Sequence, residues 1–145
     1  MLTDDVLNYL SKLSHRHIAV KEIWLFGSRA NGTATGESDW DLIVFGENGL
    51  FNSIASDTEV HRDDVDLLVV NEVTGNFNKP WGSENAGSLK GWKWEIRSET
   101  EASYVGSKWI EDEEAEAEGL NDMGTLIDIQ LKAFRVWPAF NDMNS

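Results

Sequence analysis

The chain has 145 residues, no cysteine, and 26 Asp and Glu against 12 Lys and Arg, for a formal net charge of −14. That length and a 41% hydrophobic share predict one packed domain over residues 1–145, while the missing cysteine excludes disulfides, thiolate metal sites and a cysteine nucleophile. The charge opposes binding of a nucleic-acid strand across the surface, and with no basic leader and no apolar run of bilayer length the protein is expected in the cytoplasm, away from membranes.

In chain order, Thr3 is placed to cap a first helix over residues 3–14, with Asp4 and Asp5 at its positive end and Val6, Leu7, Leu10 and Leu13 at helical spacing. Ile23 to Phe26 reads as a short strand that Gly27 breaks, and the small, polar stretch Ser28 to Ser38 as a turn or short helix. Asp39 to Phe45 predicts a second strand, Leu50, Phe51, Ile54 and Ala55 one face of a short helix, and Val65 to Val70 a third strand. After a Gly- and Asn-rich stretch over 71–91, strands near Trp92 to Arg97 and Ala102 to Ile110 are expected to pair as a hairpin. The acidic run Glu111 to Glu118 reads as a solvated face. Leu120 to Phe134 suits either a strand or a helix.

The chemistry concentrates where charge interrupts apolar strands. Alternation along a strand sends Asp39 and Asp41 to one face and Trp40 to the other. Two anions side by side raise each other's pKa unless a cation or water lies between them. Hard oxygen donors suit magnesium, which takes one or two carboxylates and draws further ligands from substrate phosphates. Asp66, flanked by Val65 and Leu67, is a third carboxylate that a neighbouring strand would bring to the pair, enough to hold two Mg2+ ions about 3.5–4 Å apart. Gly27 and Ser28 offer an anion cradle after the first strand.

With these residues in place, "FGSRANGTATGESDWDLIV" resembles the signature of the nucleotidyltransferase superfamily related to DNA polymerase beta, in its minimal prokaryotic, antitoxin-type form. The resemblance covers residues 3–70 and implies an α/β (α+β) fold, a mixed sheet flanked by helices. Residues 1–70 would be the catalytic core and 71–145 a variable, strand-rich C-terminal elaboration. It also implies transfer of a nucleoside monophosphate, AMP, from a nucleoside triphosphate, ATP. Gly27, Ser28 and Arg29 would hold the nucleotide, Asp39 and Asp41 both magnesium ions, and Asp66 the catalytic ion. The sequence departs from the family where Asn31 replaces a frequent basic residue and Trp40 an aliphatic one. The implied acceptor is a hydroxyl on a protein, such as a HEPN-class toxin, or on a small molecule, and Asp66 is the expected general base.

Plainer readings exist for each feature. A Gly-Ser after a strand is commonly a turn, the Asp39 and Asp41 pair can cap a strand end, and Asp66 follows Asp63 and Asp64 in what could be a solvated loop. His15, His17 and His61 form no metal-ligand pattern and are assigned no role. The aromatic residues Trp81, Trp92, Trp94, Tyr104 and Trp109 are expected mainly to pack rather than to stack on bases. From a different functional class, a noncatalytic adaptor would keep the fold and bind a protein partner through its acidic, aromatic surface.

Overall fold

Thr3 opens the first helix: its hydroxyl accepts the Val6 N–H at 3.2 Å, and α1 runs over Asp4–Arg16, two residues past its expected end. The computed structural model describes residues 2–81, 86–111 and 124–138, so residues 112–118 of the acidic run and 120–123 of the undecided segment lie outside the described residues. After α1 come β1 (Val20–Phe26), α2 (Gly27–Asn31), β2 (Trp40–Gly46), α3 (Leu50–Ala55) and β3 (Val65–Asn71). The later strands are β4 (Asn76–Asn78), β5 (Ala86–Ser88), β6 (Glu95–Ile96), β7 (Glu101–Glu111) and β8 (Gly124–Trp137). No helix among the described residues is long and apolar enough to cross a membrane.

The eight strands among the described residues join one mixed sheet, in the order β5-β4-β3-β2-β1-β8-β7-β6. The β2–β3 pair is parallel and crosses over through α3, whereas the other pairs are antiparallel. Late strands therefore flank the early ones on both sides. The fold is mixed α+β, but the flanking differs from the expected one: α1 and α3 cover a single face. There Val6, Leu10, Leu13, Leu50 and Ile54 pack on Ile23, Leu25, Leu42, Val44, Leu67 and Val69. The opposite face carries Trp24, Ile43, Leu68 and Phe77, closed over by Leu89, Trp92 and Trp94 from a turn rather than by a helix.

That turn explains the shortened hairpin. Only Glu95 and Ile96 pair with β7, at Ser103 and Ala102. Trp92 and Trp94 fold inward, with N–H groups donating to Ser88 and Leu89 carbonyls and Lys93 at φ +57° between them. Their rings meet the sheet edge-on or tilted, Trp94 5.5 Å from Trp24 and Trp92 4.8 Å from Phe77. Burying two indoles outweighs two more rungs of ladder. The undecided last segment is a strand, matched rung for rung with β7 from Glu101↔Phe134 to Glu111↔Gly124.

His17 caps the end of α1 and is buried, so the histidine assigned no chemistry has a packing role. Its ring bonds Ser53 Oγ at 2.7 Å and Asp57 Oδ2 at 2.8 Å, and Arg16 grips the same carboxylate through Nε and Nη2 at 2.7 and 2.8 Å. Arg16 first, with His17 and the Glu59 N–H, holds the Asp57 carboxyl well below the usual aspartate range. Because the folded value is depressed, this contribution is present above the unfolded value near 4 and is lost as pH falls through the folded one. Asp57→Asn is expected to melt at a lower temperature at pH 7, with the two melting curves converging below about pH 4; a gap that stays constant on acidification would contradict this.

Candidate functional site

The parallel ladder puts Asp41 of β2 and Asp66 of β3 on one rung, and Phe26, the last residue of β1, is the antiparallel partner of Asp41. Alternation places both carboxylates on the aromatic face, away from α1 and α3, while Trp40 and Val65 enter the helix-covered core. Gly27 follows Phe26 with φ +70°, and a Cβ there would collide with Asp41 Oδ2 and lie 2.9 Å from Asp41 Cγ. Only glycine fits this contact without strain. Asp39 precedes β2 by one residue and is exposed.

Burial pushes the Asp41 carboxyl up to about 6, reinforced by the charges of Asp66 and Asp39 and countered by Lys79. Lys79, just after β4, spans the Asp66 carboxylate, with Nζ 3.0 Å from Oδ1 and 3.2 Å from Oδ2. The other two aspartates of the cluster are separated by role: Asp64 pairs with Arg62 at 2.6 Å, and Asp63 stands in solvent. Among the described residues, no group of three or more carboxylates or imidazoles is already gathered at metal-binding spacing. Two carboxylates on one rung, with Asp39 close enough to perturb Asp41, nevertheless provide the donor chemistry that magnesium takes before phosphates complete its shell.

The helix α2 is fastened by residues to which the sequence reading gave no role at the site. The Gly27 N–H donates to the Tyr104 hydroxyl at 2.9 Å, and the Asn31 amide pairs with the Lys132 backbone, accepting its N–H at 2.8 Å and donating to its carbonyl at 3.0 Å. Asn31 also donates to the Gly27 carbonyl at 2.8 Å. Arg29 lies 4.2 Å over the Trp40 ring and donates to the Ser38 carbonyl through Nε and Nη2, bracing the loop that delivers Asp39. The two departures from the family pattern, Asn31 and Trp40, thus have structural partners. Lys79 and Tyr104 carried no motif, and Asn31 stood out only as a departure from the family pattern; the only sequence signal for Lys79 was a cation one short strand beyond Asp66. A hollow of about 420 Å³ lies at the other end of β2 and β3, where Asn48, Asn52, Asn76 and Asn78 line it, and includes none of the carboxylates.

The family model described as Nucleotidyltransferase domain matches residues 5–116, about three quarters of the chain. No curated protein and no solved structure matches it.

The raised Asp41 carboxyl has a thermodynamic sign. Between the unfolded value near 4 and the folded value of about 6 the native state holds a proton that the unfolded chain has shed, so this group lowers stability as pH rises through that window. Without added divalent cation, Asp41→Asn is expected to stabilise the fold at pH 7 by at most about 3 kcal/mol, and to lose that advantage near pH 4. Urea titrations of both proteins across the window measure it. Gly27→Ala is expected to cost more than about 1 kcal/mol, since it adds both left-handed strain and the clash with Asp41; an unchanged urea midpoint would refute the close contact.

Proposed function

The chain belongs to the nucleotidyltransferase domain family, and on that footing we propose that it is a magnesium-dependent enzyme moving AMP from ATP to a hydroxyl of a protein or small molecule. The observation that carries the reading is the shared rung of Asp41 and Asp66 beside Gly27, with Asp39 close by. Asp39 and Asp41 would hold both Mg2+ ions and Asp66 the catalytic one; bound there, the ions supply positive charge to the triphosphate and the reacting oxygens. Gly27 leaves the Asp41 carboxylate its place beside the phosphates, which the Ser28 hydroxyl contacts. Arg29 serves the nucleotide through the loop it braces. Asp66 accepts the proton of the acceptor hydroxyl as that oxygen bonds to the α-phosphorus, and the bond to the β-phosphate bridge breaks to release pyrophosphate.

The formal charge of −14 favours an acceptor with a neutral or basic surface over a nucleic-acid end, because each phosphate contact needs a Lys or Arg and the chain has few. The resemblance to antitoxin-type members makes a HEPN-class toxin one candidate acceptor. The adaptor reading is favoured by one feature, the distal β7–β8 ribbon, where Ile110, Leu126 and Ile127 are exposed.

The test incubates the protein with α-labelled ATP, Mg2+ and host lysate, alongside oligonucleotide primers and total RNA. Label is expected on protein or a small molecule. Asp41→Asn and Asp66→Asn should each reduce transfer by at least about a hundredfold, and Ser28→Ala by less than either, on the scale of one hydrogen bond, about 0.5–1.5 kcal/mol if neutral and up to about 3 if charge-assisted. Full turnover in both aspartate variants would remove the catalytic assignment; efficient extension of nucleic acid alone would reverse the acceptor assignment.

A further inference from the structure

The Lys79 ammonium sits where an ion would bind Asp66. Its Nζ lies 3.0 and 3.2 Å from the two carboxylate oxygens, bridging them rather than resting against one. The side chains are partly open to solvent, 21% for Lys79 and 34% for Asp66, so the pair is reachable and not sealed into the core. Asp66 is the only hydrogen-bond partner of the Lys79 ammonium among the described residues. The guanidinium of Arg29, by contrast, is committed to Ser38 and Trp40.

We propose that Lys79 is the resident counter-ion of the carboxylate rung: it neutralises Asp66 in the empty site, yields it when a divalent cation enters, and then pairs with the phosphates of the nucleotide. The inference rests on the nucleotidyltransferase reading and adds a residue to it. The chemistry follows from competition for the same lone pairs. The ammonium occupies a lone pair on each oxygen and its charge repels a second cation, so Lys79 lowers the affinity for metal alone. A lysine suits the exchange, being a compact charge on a flexible four-carbon stem rather than a rigid planar fork. From its position just past β4, beside the end of β3 where Asp66 begins the rung, it stays within a side-chain length of whatever the carboxylates hold. Phosphate oxygens then offer it the anionic partner that Asp66 has withdrawn.

The test measures Mn2+ binding by electron paramagnetic resonance, and separately the binding of a non-hydrolysable ATP analogue with Mn2+, for the wild type, Lys79→Met, Lys79→Arg and Asp66→Asn. Lys79→Met is expected to bind Mn2+ alone about three- to fivefold more tightly and the analogue about three- to fivefold more weakly, the scale of one partly exposed ion pair. Lys79→Arg should move both values back toward wild type. A merely structural lysine would lower the melting temperature without this opposite pair of shifts. Mn2+ affinity that Asp66→Asn abolishes but Lys79→Met leaves unchanged or weakens would overturn the role of Lys79 alone. A wild type that binds neither Mn2+ nor the analogue would overturn the nucleotidyltransferase reading together with it.

Discussion

Two like charges share a rung of a parallel ladder, and much of the surrounding structure is arranged around that fact. Directly opposed carboxylates destabilise a sheet, and Asp41 is additionally half-buried, so burial first and the neighbouring charges second push its carboxyl up to about 6. The neighbours respond in two ways. Lys79 supplies charge to Asp66, and Gly27 leaves the volume that a side chain would otherwise take from Asp41. A pair of asparagines or leucines on that rung would relieve the repulsion outright. Their absence is consistent with a site whose stability is incomplete until something else binds.

The helix beside the rung is secured from the other half of the chain. α2 has only five residues, too few to be stable by its own hydrogen bonds, and its persistence comes from tertiary contacts. The carboxamide of Asn31 imitates a strand peptide against Lys132, extending the ladder of β8 by a side chain. Tyr104 adds a bond to the first peptide of α2 while its ring packs against Phe26 and Trp92. On the other side Arg29 and Trp40 lock the incoming loop. The aromatic face is therefore both a hydrophobic core and the wall on which the polar site is mounted.

The early elements were legible because local signals agreed with the final fold. Thr3 capping, the α1 apolar stripe of Val6, Leu10 and Leu13 and the two apolar runs carrying Asp41 and Asp66 each followed from neighbouring residues alone, whereas Leu7 is exposed and Tyr9 is buried instead. The later half was harder for a physical reason. Trp92 and Trp94 have strand-like surroundings but gain more by burial against Trp24, Phe45 and Phe77 than by pairing. β8 shows no clean alternation because its distal half is exposed on both faces, so nothing forces Leu126 and Ile127 apart in polarity. The candidate carboxylates could be named from the sequence, but their partners could not: Lys79 reaches Asp66 across 13 residues and Asn31 reaches Lys132 across 101. Arg29 illustrates the same limit, since its neighbours in sequence gave no hint that it would face Trp40.

The placement of β8 against β1 sets an order of events during synthesis. Phe26, Gly27, Asp41 and Asp66 leave the ribosome early, yet the hydroxyl that receives the Gly27 N–H lies 77 residues later and the peptide that grips Asn31 lies 101 residues after it. Until that peptide has emerged, the β1 edge that β8 covers is unpaired and Asn31 lacks its partner. Contacts so distant along the chain form slowly, because a long loop must close before they repay its entropy. A nascent chain stalled before Lys132 would thus display the acidic rung without the Asn31 clasp beside it, and that clasp would close only after β8 had left the exit tunnel.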